Sequence, residues 1–279
     1  MSAPKIKLES VVNDQSPDAA QARKIVAIFD SDFNVVDPTE LSAERTATAI
    51  DDLFKAEYAR DQGEEAVEGF FWNLWTTLLE VVKLVPATDA RMHHLADVLA
   101  ALHGKKTADV EIWDEKMAVW EDLPILGPQM REAWNICPKY DGTDNDALLQ
   151  GWISLNSFAA RTLYFRPNAY NLGIWQLRSA LEEPLPEKPT AQHTQLAAAC
   201  EWITHAGKQL HSLSTQGSAD ERTIQITKAG SEFPGSGGPS QERWQFWKSR
   251  LTSLKCVVTS EGLKERIEGV VEIMNDMEK

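Results

Sequence analysis

The sequence contains no long hydrophobic run and few cysteines. Its apolar stretches are interrupted by charges well short of the roughly 20 residues that span a membrane. The N-terminal segment MSAPKIKLESVVNDQSPD lacks the apolar core of a secretory signal peptide. Cys137, Cys200 and Cys256 lie far apart without CxxC spacing, and an odd number of unpaired cysteines is typical of a reducing compartment. These absences predict a cytoplasmic protein with free, mostly buried thiols.

Basic residues are scarce and scattered. The chain has 28 Lys and Arg against 42 Asp and Glu, a net charge of −14, and no basic run. Binding to a nucleic-acid backbone depends on Lys and Arg displacing counterions, and anionic membranes attract basic segments in the same way. Partners made of nucleic acid or membrane are therefore not expected. The acidic charge is interpreted as a source of solubility.

Familiar catalytic and metal-binding motifs are also missing. The sequence lacks GxGxxG, GxxxxGK[ST], HExxH and GxSxG, and the GSGG run at 235–238 is interpreted as loop. Among the six histidines, His205 has the helical i, i+4 spacing from Glu201 that could supply two ligands of a metal site. The two are assigned to a solvated helix face. We predict no metal and no cofactor.

Apolar residues recur at helical spacing along most of the chain and predict an all-α protein. The expected fold is an irregular bundle of about eight to eleven helices with essentially no sheet, strongest over residues 64–85 and broken at Asp37-Pro38. Short helices are predicted over 109–134, and 223–227 is the only plausible strand. We expect a flexible tail at 1–15 and a single helical domain at 16–279 with a flexible loop at 214–240.

Tryptophan is unusually frequent, with ten residues against four tyrosines. Two interpretations remain open. Indoles commonly fill contacts between helices, but so many large rings are difficult to pack without gaps, and a ligand cavity lined by indole N–H donors is the alternative. The candidate substrate-binding residues are Trp134, Trp152, Trp175, Trp244 and Trp247.

Polar residues close to these aromatic positions are the candidate catalytic groups. Asn156 follows Trp152 by one turn, Arg178 follows Trp175 by three residues, and Arg161 follows Phe158 by three. A buried Asn or Arg needs a partner, which can be a carboxylate, a carbonyl or a ligand. Structural salt bridges are the commoner outcome. The ligand interpretation predicts that Asn156, Arg178 and the helix carrying Trp244 and Trp247 converge on one cavity.

Four segments resemble a family of fungal proteins of unknown function. They are VWEDLPILGPQMREAWN (119–135), WISLNSFAARTL (152–163), AYNLGIWQLRSALE (169–182) and ERWQFWKSRLTSL (242–254). The resemblance runs from about Ser42 to the C-terminus. It implies a helical, cytosolic accessory protein of specialised metabolism, similar to cofactor-free hetero-Diels–Alder cyclases of tropolone–sesquiterpene pathways. No catalytic residue carries over from those enzymes.

Two functional hypotheses follow. The first is a small-molecule-binding helical protein, a cofactor-independent cyclase that acts on an apolar natural product. Such reactions need mainly the alignment of two reactive ends and one polarising donor. The alternative is a non-catalytic protein-interaction or regulatory protein whose tryptophans are core. The expected partner is an apolar small molecule, and self-association as a homodimer is left open.

Overall fold

The computed structural model describes residues 5–33, 42–217 and 219–279. Over these residues the chain forms eleven α-helices and one two-stranded sheet, which confirms the all-α prediction. The predicted break at Asp37-Pro38 lies outside the described residues. The helices are α1 Ala19–Phe33, α2 Ala43–Tyr58, α3 Glu64–Leu84, α4 Ala90–His103, α5 Leu126–Asn135, α6 Asp146–Arg161, α7 Tyr170–Leu181, α8 Pro189–Thr215, α9 Glu221–Ile226, α10 Gln241–Leu254 and α11 Glu261–Met277. The strands are β1 Asp109–Ile112 and β2 Glu115–Ala118.

The chain divides into two compact units, Met1–Cys137 (unit 1) and Pro138–Lys279 (unit 2). One helical domain over 16–279 stays a prediction. None of the described helices combines the length and the apolar character needed to cross a membrane. The three cysteines are free as predicted, but only Cys200 is buried, whereas Cys137 and Cys256 are exposed.

Unit 1 is organised around α3, whose apolar face is wide enough to be buried by several neighbours. An aromatic cluster forms its core, in which Phe54, Phe71, Trp75 and Trp120 contact one another at ring-centroid distances between 5.5 and 6.4 Å. Such edge and offset contacts stabilise a core beyond the area that they bury.

The antiparallel hairpin β1–β2 replaces the first of the short helices predicted over 109–134. Asp109 pairs with Ala118 and Ile112 with Glu115, so Trp113 and Asp114 alone form the turn. Both turn residues have positive φ, 55° and 62°, as a tight hairpin turn with the twist of its strands requires. In a sequence, such a turn is usually recognised by an Asn-Gly or Asp-Gly pair. This turn has Trp-Asp instead, so the hairpin could not be predicted from it.

Unit 2 is built on three successive helices, of which α8 packs against both α6 and α7. Ser157 and Asn156 of α6 contact Glu201 and Trp202 of α8. Gly173 of α7 lies against the ring of Trp202, where an added Cβ would come within 2.7 Å of the indole. The absence of a side chain at Gly173 therefore lets α7 approach α8 closely.

Two segments predicted to be flexible contain regular structure. A 3-10 helix, Leu8–Val11, lies in the predicted tail, and Leu8 is fully buried. In the predicted 214–240 loop, helix α9 occupies the segment expected to be a strand, so the strand prediction for 223–227 is wrong. The side chain of Asp220 accepts a hydrogen bond from the Thr223 amide at 2.7 Å and starts this helix.

Candidate functional site

Four of the five tryptophans predicted to bind a ligand donate their indole N–H groups to other parts of the protein. Trp152 donates to Gln176 at 3.1 Å and Trp175 to the carbonyl of Ile226 at 2.8 Å. Trp244 donates to Glu278 and Trp247 to Glu182. Trp134 lies buried in unit 1, whereas the other four belong to unit 2. The indoles of Trp152, Trp244 and Trp247 are therefore parts of the packed interior, whereas Trp175 is only partly buried.

The candidate catalytic residues also have protein partners. Asn156 is fully buried, donates to the carbonyl of Trp152 at 2.8 Å and accepts from Trp202 at 2.7 Å. Arg178 is partly exposed and pairs with Glu183 at 2.6 Å. Within the described residues, no contact joins Arg178 to Asn156 or to Arg161. The catalytic roles of Asn156 and Arg178 stay predictions, since their contacts are those of structural groups.

A buried ion pair between Arg243 and Glu182 holds the 227–238 segment. Neither side chain is exposed, and the guanidinium binds both carboxylate oxygens, at 2.6 and 3.0 Å. Arg243 also donates to the carbonyls of Thr227, Gly238 and Lys228. These bonds join the 227–238 segment to Arg243 of α10, and the flexibility of the 214–240 loop stays a prediction. Because both groups are fully used within the protein, we interpret the pair as structural.

A second polar cluster lies between α6 and α8 and is only partly enclosed. The Glu201 cluster consists of Ser157, Arg161, Glu201, His205 and Arg266. Glu201 is 2% exposed and contacts the hydroxyl of Ser157 and the guanidinium of Arg266. His205 Nε2 lies 3.2 Å from a carboxylate oxygen of Glu201, and Arg161 Nε lies 3.3 Å from the Ser157 hydroxyl. The assignment of Glu201 to a solvated helix face is therefore wrong.

Charged and polar groups of this cluster reach the surface. The side chains of His205 and Arg266 are 22% and 27% exposed. Burial and the positive charge of Arg161 lower the pKa of His205 to about 4, so the ring is neutral near pH 7. Burial also lowers the pKa of the Arg266 guanidinium, whereas burial raises the pKa of the neighbouring Cys200 thiol to about 12. The cluster thus presents a neutral imidazole and a guanidinium around one enclosed carboxylate.

An open groove continues the line of contact between α6 and α8 beyond this cluster; we call it the seam groove. Its volume is about 390 Å³. One wall contains Leu163, Tyr164, Pro167 and Tyr170, which follow Arg161 in the chain. The other wall contains Lys208, Gln209, Ser212, Leu213 and Gln216 of α8. Lys208 and Gln209 lie three and four residues after His205, which places them next to it on the same helix face.

Other buried carboxylates, in unit 1, are held by protein partners. Asp51 accepts from Thr107 and Trp120 at 2.6 and 2.7 Å and pairs with Lys55. Asp32 contacts Thr46, Arg45 and His94. In the part of the chain that the structure describes, no three His, Cys, Asp or Glu side chains come together as metal ligands. The seam groove and the Glu201 cluster therefore form the candidate site that we consider further.

The lowered pKa of His205 predicts an acid-sensitive stability. Below pH 6.5 an unfolded histidine binds a proton, while the folded ring stays neutral until about pH 4. Because the unfolded state then binds more protons, the contribution of His205 to the free energy of unfolding is fully present above pH 6.5. It is lost as the pH falls from 6.5 to 4. We expect His205→Gln to remove about 2 kcal/mol of the pH dependence of unfolding free energy in this window, measured by urea titration at pH 7 and 4.5. An NMR titration that gives His205 a pKa near 6.5 would contradict this.

The sequence identified three of the five members of this cluster. The i, i+4 spacing of Glu201 and His205 was visible, and Arg161 was a candidate, but Ser157 and Arg266 were not. Ser157 precedes Arg161 by one helical turn, a signal that could have linked the two. Arg266 lies in α11 at a distance along the chain that no local pattern spans.

Comparisons with known proteins identify a family but no function. Residues 75–251 match the family described as "Protein of unknown function (DUF3632)". The matched segment includes both walls of the seam groove and every member of the Glu201 cluster except Arg266. No curated protein and no solved structure matches the chain. Because the match covers more than half of the sequence, the chain belongs to this family of unknown function.

Proposed function

We propose that the protein binds a small, largely apolar organic molecule in the seam groove and promotes its cofactor-independent cyclisation. The observation that carries this proposal is the position of an apolar-walled groove beside the partly enclosed Glu201 cluster. A volume of about 390 Å³ lies in the range of small-molecule sites. Leu163, Tyr164, Pro167 and Leu213 offer apolar contact, while the cluster offers polar groups at one end.

The chemistry of the cluster is compatible with cyclisation. A cycloaddition needs two reactive ends held together and a donor that polarises a carbonyl as charge develops. Arg161 and Arg266 carry such N–H donors. The resemblance of four segments to fungal proteins, and through them to hetero-Diels–Alder cyclases, supports this reaction and a role in specialised metabolism. Of the three candidate catalytic residues, Arg161 is the one that belongs to this cluster.

Filling the seam groove should abolish binding of an uncharged apolar probe. N-phenyl-1-naphthylamine, whose fluorescence rises in apolar surroundings, is titrated into the full chain. Ser212 lines the groove and is exposed, so Ser212→Trp places a large side chain in it at little cost to folding. We expect saturable binding by the wild type and at least a tenfold weaker affinity in Ser212→Trp. Ser253→Trp, at an exposed position of α10, is the matched control and should bind as the wild type does.

The second candidate function is non-catalytic protein binding. The exposed side chains of Tyr164 and Val257, 59% and 60% accessible, are the apolar surface groups that a protein partner would cover. The same titration separates the two functions. A protein that shows no saturable probe binding, or equal binding in both tryptophan variants, does not use the groove for small molecules.

A further inference from the structure

The walls of the seam groove contain a lysine and no carboxylate. Acidic residues outnumber basic ones by 42 to 28 in this chain, so an acid-free groove departs from the rest of the surface. Lys208 is exposed on the α8 wall and has no ion-pair partner among the described residues. The polar lining groups besides Lys208 are the amides of Gln209 and Gln216 and the hydroxyls of Ser212, Tyr164 and Tyr170, which are neutral. The fixed charge of the groove walls is therefore positive.

Arg166, which is partly exposed, is a second cation close in the chain to the residues of this wall. It lies between Tyr164 and Pro167, both of which line the groove, in the turn that joins two 3-10 helices. No acidic side chain pairs with its guanidinium in the described ranges. Burial alone lowers the pKa of Arg166 to about 10, with no carboxylate nearby to oppose the shift. A guanidinium with no acidic partner can form charge-assisted hydrogen bonds with an anionic ligand.

We infer that the ligand of the seam groove is an organic anion, an apolar molecule with a carboxylate that Lys208 and Arg166 bind. This inference rests on the proposed function, because it requires that the groove holds a small molecule. The apolar part of the molecule lies against Tyr164, Pro167 and Leu213. The carboxylate lies at the Lys208 and Arg166 end, where charge-assisted hydrogen bonds to ammonium and guanidinium are strong.

A matched pair of probes tests this inference. 8-Anilinonaphthalene-1-sulfonate has the same aromatic body as N-phenyl-1-naphthylamine and adds one negative charge. We expect the anionic probe to bind at least tenfold more tightly at low salt and to lose affinity as salt rises. Decanoate should displace it, whereas decan-1-ol, which has the same chain length and no charge, should not.

Single substitutions test whether Lys208 and Arg166 supply the positive charge that binds the anionic probe. Lys208→Gln and Arg166→Gln should each weaken the anionic probe about tenfold and leave the neutral probe within twofold of the wild type. Lys255→Gln is the control, because Lys255 is paired with Glu268 at 2.8 Å and lines no described part of the groove. Because Lys208 is exposed, we expect Lys208→Gln to fold. It therefore tests the inference even if replacement of the more buried Arg166 disturbs the turn.

The outcomes separate the two proposals. Binding of neither probe overturns the proposed function. Equal affinity for both probes, or an unchanged anionic affinity in Lys208→Gln and Arg166→Gln, leaves the groove as a small-molecule site and overturns the inference of an organic anion. If decan-1-ol displaces the probe as effectively as decanoate does, the inference of an organic anion is also overturned.

Discussion

Replacing Arg243 with methionine should destabilise unit 2 by about 3–5 kcal/mol, because the change leaves the Glu182 carboxylate buried without its cation. The two side chains are completely enclosed and joined by two hydrogen bonds. Methionine fills most of the space of the arginine side chain but donates nothing to the carbonyls of Thr227, Gly238 and Lys228. The segment that these carbonyls belong to should detach from α7 and α10 before the rest of the unit unfolds.

Urea unfolding followed by circular dichroism measures this loss. Arg23→Met provides a matched control, because Arg23 pairs with Asp14 while both side chains remain more than half exposed. Exposed pairs contribute about 1 kcal/mol or less, so the control should differ little from the wild type. An Arg243→Met protein that is as stable as Arg23→Met would show that the 227–238 segment is held by other contacts.

Helices could be predicted from the sequence because their signals are local. The apolar spacing within α3 lies within one or two turns of the residues that it affects. The β1–β2 hairpin was missed because its turn depends on two non-glycine residues, Trp113 and Asp114, held at positive φ. The amide of Trp113 donates to Glu64 at 2.6 Å, a tertiary contact that supports this turn and leaves no local pattern.

The candidate site could be predicted only in part, since burial is decided by distant residues. The same i, i+4 pair is a solvated helix face or an enclosed cluster depending on what packs against it. For Glu201 the deciding neighbours are Ser157, 44 residues earlier, and Arg266 of α11. Asn156 gives the converse case: it was correctly expected to be buried with a partner, but its partners are the carbonyl of Trp152 and the indole of Trp202.

Trp202→Ala should cost about 3–5 kcal/mol of unfolding free energy, since it opens a large cavity in the packed interior of unit 2. Trp202 is fully buried, its ring lies against Gly173, and its N–H donates to Asn156. Trp202→Phe keeps part of the volume and removes the donor, so it should cost about 1–3 kcal/mol for the unsatisfied Asn156 oxygen. The same reasoning predicts that Asn156→Leu, which leaves the Trp202 N–H without an acceptor, destabilises by a similar amount.

Urea titration of the three variants tests whether tryptophan in this chain is core or ligand wall. Trp113→Ala is the control, because the Trp113 side chain is 49% exposed and its removal should change stability by about 0.5 kcal/mol or less. Indoles that line an open cavity lose few contacts on truncation, since one side of the ring faces no protein atoms. A cost below about 1 kcal/mol for Trp202→Ala would therefore favour the ligand interpretation of the tryptophans. A cost of several kcal/mol, together with unchanged probe binding in the seam groove of the folded Trp202→Phe protein, would place tryptophan in the core and the ligand between α6 and α8.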